Sequence, residues 1–192
     1  VIVNGPLLQF LNSHDIPYVV FINKMDTATG RVRDILGALQ GVSARPLVLR
    51  HVPIRREEHI TGYVDLVSER AYSYKHGEPS ALIEIPDEMQ DRNSEARQEM
   101  LEELSNYDDP LLETLLEESE PPKAEIYDNL SKDLAGNFIA PVFIGAAEQS
   151  NGVLRLMKAL RHETPDSGIA QARLNVDSSG EPSVTIFKSF HV

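Results

Sequence analysis

The sequence contains no cysteine and is short of positive charge, with 18 Lys and Arg against 30 Asp and Glu. Without cysteine, disulfide scaffolds and zinc–thiolate sites are excluded. Apolar runs fall well short of the roughly 18 residues that a membrane helix needs. These absences suit a cytoplasmic protein that makes no membrane contact. Because the sequence begins with Val1 rather than methionine, we expect it to be a piece of a longer protein.

The negative charge is concentrated in one segment. Residues 87–135 contain 16 Asp and Glu but only four Lys and Arg, a balance of −12 that equals the net charge of the chain. Nucleic acid binds cationic surfaces through its phosphates, so we expect no direct nucleic-acid binding by this chain. A basic protein partner would suit the segment. A solvated helical face explains the same composition, and the sequence leaves both interpretations open.

Two strand–helix units, one near each end of the chain, predict a parallel sheet. Residues 18–22 form a continuous apolar run, as expected for a strand covered on both faces, and a helix is predicted over residues 29–40. Residues 138–144 form a second apolar run, and residues 152–161 follow it with helical spacing. The outer parts of the chain therefore predict a doubly wound α/β fold.

The middle of the chain differs from its ends. Residues 46–85 alternate apolar and polar positions in short bursts, which predicts a small antiparallel sheet. Three helices are predicted after it, with Asp109 as the cap of the second and with Ile126, Leu130 and Leu134 on one face of the third. The middle is thus predicted to be an α+β insertion between two halves of one sheet.

The first apolar strand ends in Asn23-Lys24-Met25-Asp26. Ligands of open α/β sheets bind at the carboxyl ends of the strands, where these side chains are expected. Asp26 can accept hydrogen bonds from both the N1–H and the N2–H₂ of guanine, a donor pair that adenine lacks. Lys24 can cover the face of the base, and the Asn23 amide can brace neighbouring loops. The pattern also fits an ordinary polar surface loop.

The second strand ends in Gly145-Ala146-Ala147. Small residues let backbone N–H groups approach a flat ligand, which suits recognition of the guanine O6. The alternative is that they merely ease a tight turn between strand and helix.

Four segments, taken in order, resemble the translation elongation factor G family. They are FINKMD, ITGYVDLVSERAYSY, IEIPDEMQD and PVFIGAAEQSNGVLRLMKAL. The resemblance runs over about residues 15–165 and implies a partial P-loop-NTPase-type parallel sheet with an inserted subdomain, called G′. It assigns residues 1–47 and 137–165 to the second half of the GTP-binding domain and residues 48–136 to G′. Residues 166–192 are then a linker and the first strand of a β-barrel domain.

The resemblance also implies a ligand and partners. Asn23, Lys24 and Asp26 match the guanine-specificity motif, and Gly145, Ala146 and Ala147 match the last nucleotide loop, where the family usually has Gly-Ser-Ala. Ala146 takes the place of that serine, which weakens the expected support of the loop. GTP or GDP is the implied ligand, with Mg²⁺ bound elsewhere in the parent protein. The implied partner is the ribosome, on which the parent acts in translocation or recycling.

The phosphate-binding half of a GTPase is missing from these 192 residues. No G-x-x-x-x-G-K-[ST] occurs, and that motif supplies most of the affinity for GTP. Two D-x-x-G strings, at residues 133–136 and 177–180, lie downstream of Asn23 and are interpreted as chance matches. We therefore expect millimolar binding of guanine nucleotides and no hydrolysis by this chain.

Two other functions are compatible with the sequence. The acidic helices would make the chain a docking module for a basic partner, such as the ribosomal stalk protein. A circularly permuted GTPase would instead carry its P-loop after Val192, although the barrel-like tail argues against it. The histidines form no motif, and we expect structural or surface roles for all six: His14, His51, His59, His76, His162 and His191.

Overall fold

The computed structural model describes residues 5–165 and 167–174. Its helices are α1 (Gly5–Ser13), α2 (Val32–Gln40), α3 (Gln90–Ser105), α4 (Asp109–Leu116), α5 (Lys123–Ala135), α6 (Val153–Glu163) and α7 (Ser167–Leu174). Its strands are β1 (Val20–Ile22), β2 (Leu47–Leu49), β3 (His51–Arg56), β4 (His59–Asp65), β5 (Arg70–Ser73), β6 (Ala81–Ile83) and β7 (Ala140–Ile144). The tail that is expected to enter a barrel domain, with the second D-x-x-G string, lies outside the described residues.

The strands form two separate sheets. A three-stranded parallel sheet has the order β1-β7-β2, and a four-stranded antiparallel sheet has the order β3-β4-β5-β6. Helices α3, α4 and α5 follow the antiparallel sheet in the chain. The predicted fold class, an α/β parallel sheet with an inserted α+β region, is confirmed.

The strand β1 corrects one sequence expectation. The sequence predicts that residues 18–22 are covered on both faces, but β1 is an edge strand and all three of its residues are only half-buried. The central strand β7 is fully buried instead, with all five of its residues shielded. A short apolar run does not show whether its strand lies at the edge or in the centre of a sheet, because both kinds of strand use the same residue types.

The strand β2 corrects a second expectation. The sequence predicts only an antiparallel sheet over residues 46–85, yet β2 pairs in parallel with β7. After one intervening residue, Arg50, the chain continues as β3 of the other sheet. The Arg50 N–H donates to the Val142 carbonyl (2.9 Å), and the Arg50 carbonyl accepts from the Leu66 N–H (3.0 Å). One residue therefore bridges the two sheets, and the parallel sheet extends past the boundary expected at residue 48.

The acidic helices pack their apolar residues on one large core. Ile126 and Leu130 are fully buried there, as their spacing on α5 predicts. The cap of α4 is Asp108 rather than the predicted Asp109, since the Asp108 carboxylate accepts from the Leu111 N–H (3.0 Å). Adjacent aspartates are equivalent candidates in the sequence, and the backbone turn selects the first.

Candidate functional site

The two motifs singled out in the sequence meet at one edge of the parallel sheet. The strands β1 and β7 are hydrogen-bonded neighbours, and their last residues, Ile22 and Ile144, are directly paired. Asn23 and Gly145 therefore leave the sheet side by side. The sequence placed each motif at the carboxyl end of a strand, and the pairing of β1 with β7 brings the two motifs together.

Three hydrogen bonds join the loops that follow the two strands. The Gly145 N–H donates to the Ile22 carbonyl (3.0 Å), and the Met25 N–H donates to the Gly145 carbonyl (3.0 Å). The Ala147 N–H donates to Asn23 Oδ1 (2.8 Å). The Asn23 side chain thus braces the opposite loop.

Met25 anchors the first loop while its neighbours face outward. The Met25 side chain is completely buried and packs with Ile60, Tyr63 and Ile144, among others. Lys24 is exposed and has a backbone φ of 60°, in the left-handed region. Residues other than glycine adopt that region only at a cost, so the surrounding contacts impose the conformation.

The carboxylate of Asp26 is available to a ligand. Asp26 is half-buried, and its carboxylate makes no hydrogen bond or ion pair with any other residue that the structure describes. A carboxylate at this depth with all its acceptor sites free can take two donors from one planar base. The first loop therefore presents one free, half-buried carboxylate at this edge of the sheet.

The backbone amides of the second loop are already engaged. The Gly145 N–H binds the Ile22 carbonyl, the Ala146 N–H binds the Asn151 carbonyl (3.0 Å), and the Ala147 N–H binds Asn23 Oδ1. A carbonyl ligand that used the Ala147 N–H would have to take the place of Asn23. The Ala146 side chain is buried, so the serine hydroxyl that the family usually has would point into the protein here.

Gly145 has a packing reason to be glycine. A Cβ at this position would lie 2.5 Å from the Asn151 carbonyl oxygen and 2.6 Å from the Phe21 ring, closer than real Cβ contacts allow. This supports the structural interpretation of the small residues, and it is independent of any ligand.

Sequence reasoning missed a second layer of residues behind this edge. The side chain of Asn151 is buried and hydrogen-bonds the backbone of Lys75, in the connection between β5 and β6. The only sequence signal was an Asn-Gly pair at residues 151–152, which is typical of a turn. Tyr74 packs against the cluster that holds Met25.

A buried charge cluster, which the sequence also did not reveal, packs against β7. Its members are Arg50, His51, Asp65, Arg155 and Glu163. Glu163 pairs with Arg50, and Asp65 Oδ2 accepts from Arg155 Nε at 2.5 Å. The Asp65 carboxylate also accepts from the backbone N–H groups of two residues of the turn after β4, so its charge is well compensated.

Burial and the charges of the cluster shift the pKa values of two members. Burial acts to raise the pKa of Asp65, but its contact with His51 and the charges of Arg50 and Arg155 outweigh burial and hold that pKa well below its usual range. Burial lowers the pKa of His51. The Ile144 N–H donates to Nδ1 of this neutral imidazole (3.4 Å), which links the cluster to the end of β7.

Comparison with known proteins gives the family. No family model matches the chain. An elongation factor G-like protein from Synechocystis is 44% identical over 188 residues, 97% of this chain and 28% of that protein. Elongation factor G from Rhodopirellula baltica is 35% identical over 157 residues, 81% of this chain and 22% of that protein. The chain belongs to the elongation factor G family.

A solved structure agrees with this assignment at the level of the fold. A crystal structure of a protein from Thermus thermophilus superimposes with a TM-score of 0.71 at 25% identity, over 82% of this chain and 24% of that chain. The present chain spans only about a quarter of the length of the elongation factor G relatives. Among the described residues, no helix is both long and apolar enough to cross a membrane.

Proposed function

We propose that this chain is the base-reading part of a translational GTPase of the elongation factor G type. The hydrogen bond between Asn23 Oδ1 and the Ala147 N–H carries the proposal, because it holds together the two loops that the family resemblance assigns to guanine. Asp26 would accept from N1–H and N2–H₂ of the base, and Lys24 would cover one face of it. GTP or GDP is the proposed ligand, and the ribosome is the proposed partner of the parent protein.

The expected affinity follows from the contacts available. Two hydrogen bonds to a charged acceptor contribute about 3–6 kcal/mol before the entropy cost of binding. A millimolar complex needs about 4 kcal/mol. The sequence has no P-loop motif, G-x-x-x-x-G-K-[ST], to bind the phosphates. Binding by this chain should therefore be millimolar, and hydrolysis should belong to the parent protein.

The test compares two nucleotides and one variant. We would titrate the ¹⁵N-labelled chain with GMP and AMP and follow the amide signals of residues 23–26 and 145–147. GMP should shift these signals at lower concentration than AMP, and Asp26→Ala should remove the difference. Asp34→Ala, at an exposed position in the first turn of α2, is the matched control and should keep it. Equal shifts with GMP and AMP in the unmodified chain would refute the proposal.

A second candidate function is docking of a basic partner on the acidic helices. The observation that favours it is on α4, where Leu112 and Leu116 are 41% and 75% exposed one turn apart, beside Glu113 and Glu117. An apolar pair within a negative surface suits a partner that offers apolar and cationic groups together. The family resemblance suggests the ribosomal stalk protein as that partner.

Charge reversal tests the docking proposal. The triple variant Glu113→Lys, Glu117→Lys and Glu118→Lys should weaken binding of purified stalk protein, and the loss should be larger at low salt than at high salt. Isothermal titration at two salt concentrations measures both effects. The same reversal at Asp34, on α2, is the control. If stalk-protein affinity is the same in all three proteins, the acidic surface has only a solvating role.

A further inference from the structure

The connection between β5 and β6, residues 74–80, lies directly behind the candidate guanine loop. Asn151 holds the two segments together, and it is only 2% exposed. Asn151 Nδ2 donates to the Lys75 carbonyl (2.7 Å). Asn151 Oδ1 accepts from the Lys75 N–H (2.9 Å) and from the Ser80 hydroxyl (3.0 Å). One amide side chain therefore binds both ends of the connection.

The backbone of Asn151 is paired with the middle of the guanine loop. The Ala146 N–H donates to the Asn151 carbonyl, and the Asn151 N–H donates to the Ala146 carbonyl, both at 3.0 Å. Ala147, which follows, donates its N–H to Asn23 Oδ1. A shift of Asn151 would consequently move Ala146 and Ala147 with it.

Two further contacts strengthen the same support. The Gly77 N–H donates to Gln149 Oε1 (3.1 Å), and the Gly152 N–H donates to the Ser80 hydroxyl (3.3 Å). The 74–80 connection thus touches the 145–152 segment at several points along its length. The Asp26 side of the site has a different anchor, since Met25 fixes it in the core.

We propose that Asn151 is a positioning residue for guanine recognition. It fixes the position of Ala147, whose N–H would leave Asn23 Oδ1 and donate to the guanine O6 when the base binds. The inference rests on the proposed function and extends it to a residue with no ligand contact. Alanine at position 151 would leave the Lys75 and Ser80 groups without their buried partner, so the loop would lose its support. The Asp26 side should change much less, because the buried Met25 side chain anchors it in the core.

The experiment separates the two edges of the base. The ratio of GMP to 6-thio-GMP affinity reports the contact at O6, because sulfur replaces only that atom. The ratio of GMP to IMP affinity reports the contact at the 2-amino group, which inosine lacks. In Asn151→Ala, we expect the first ratio to fall about three- to tenfold, as for the loss of one hydrogen bond, and the second ratio to change much less.

Two further variants and one control keep the test decisive. Asn129→Ala, on α5, removes an equally buried asparagine (2% exposed) and controls for lost stability. Asn151→Asp keeps the oxygen acceptor but places a buried, charged oxygen against the Lys75 carbonyl, so its effect should be at least as large as that of Asn151→Ala. Ser80→Ala removes two hydrogen bonds at the far end of the connection, one to Asn151 Oδ1 and one from the Gly152 N–H, and provides the measurement if Asn151→Ala does not fold.

The possible results have different consequences. A GMP to 6-thio-GMP ratio that is the same in the Asn151 and Ser80 variants as in the unmodified chain would overturn the inference and leave the proposed function standing. A parallel fall of both ratios would also overturn it, since Asn151 would then be a general structural residue. If the unmodified chain shows no preference for GMP over AMP, the proposed function fails and the inference fails with it.

Discussion

Asp133 lies near the end of α5, 4% exposed, and its replacement by asparagine should stabilise the protein above about pH 6. Its Oδ2 atom is buried and has no hydrogen-bond partner among the described residues. Burial, followed by the nearby charge of Asp108, raises the pKa of Asp133 from 3.8 to about 6. The carboxyl end of a helix also disfavours a negative charge.

The sign and size of the effect follow from the two pKa values. The folded protein holds this proton more tightly than the unfolded chain, so its stability falls as the pH rises from about 4 to about 6. A difference between pKa 3.8 and about 6 corresponds to about 3 kcal/mol. The amide in Asp133→Asn would carry no charge but would remain a buried polar group, so we expect the gain in stability to be about 1–3 kcal/mol above about pH 7.

Urea denaturation of the unmodified chain and of Asp133→Asn at several pH values between about 4 and 8 measures this effect. The difference in free energy of unfolding should be near zero at about pH 4, rise through about pH 5–6 and then level off. Asp128→Asn removes an exposed carboxylate from the same helix and controls for the change in net charge. A difference that does not vary with pH would refute the reasoning, because a titrating buried carboxyl must produce a slope.

Three other changes test the geometry of the site and its support. Gly145→Ala should lower the free energy of unfolding by about 2–4 kcal/mol, measured by urea denaturation, because its Cβ would lie 2.5 Å from the Asn151 carbonyl oxygen. Lys24→Gly should raise the free energy of unfolding by about 1 kcal/mol, measured as a higher thermal midpoint, since glycine adopts a φ of 60° without strain. Asp65→Asn should cost about 3–5 kcal/mol at neutral pH by leaving Arg155 unpaired. This cost should decrease at acid pH. The pKa of Asp65 is lower in the folded protein than in the unfolded chain, so the ionised carboxylate stabilises the fold at neutral pH, and this stabilisation is lost as the pH falls.

The parts of the fold that could be predicted from the sequence are those with a local signal. The spacing of Ile126 and Leu130 identified the buried face of α5, and both are fully buried. The placement of Asn23 and of the Gly145–Ala147 loop at the same edge of the sheet could also be predicted, because the carboxyl ends of all parallel strands lie there. Such features depend on periodicity or on a general property of sheets.

The parts that could not be predicted depend on which strands become neighbours. Residues 47–56 form one continuous β-rich run, and nothing in that run shows that Arg50 is the point where the chain passes from one sheet to the other. The half-buried state of β1 depends on its edge position. The Asn-Gly pair at residues 151–152 indicates only a turn, and the role of Asn151 comes from contacts with residues more than 70 positions away.

Two buried contacts connect the antiparallel sheet with the candidate guanine site. Asp65 ends β4 of the antiparallel sheet, and its partner Arg155 lies on α6, which follows the candidate guanine loop. Asn151 joins the same two parts of the chain from the other side through Lys75. Two separate buried contacts therefore restrict the movement of the loop: the Asp65–Arg155 ion pair and the hydrogen bonds of the Asn151 side chain. Arg155 also donates to the Tyr127 hydroxyl on the acidic helix α5 (2.8 Å), so a partner docked on the acidic helices would be connected to the candidate guanine loop through the same arginine.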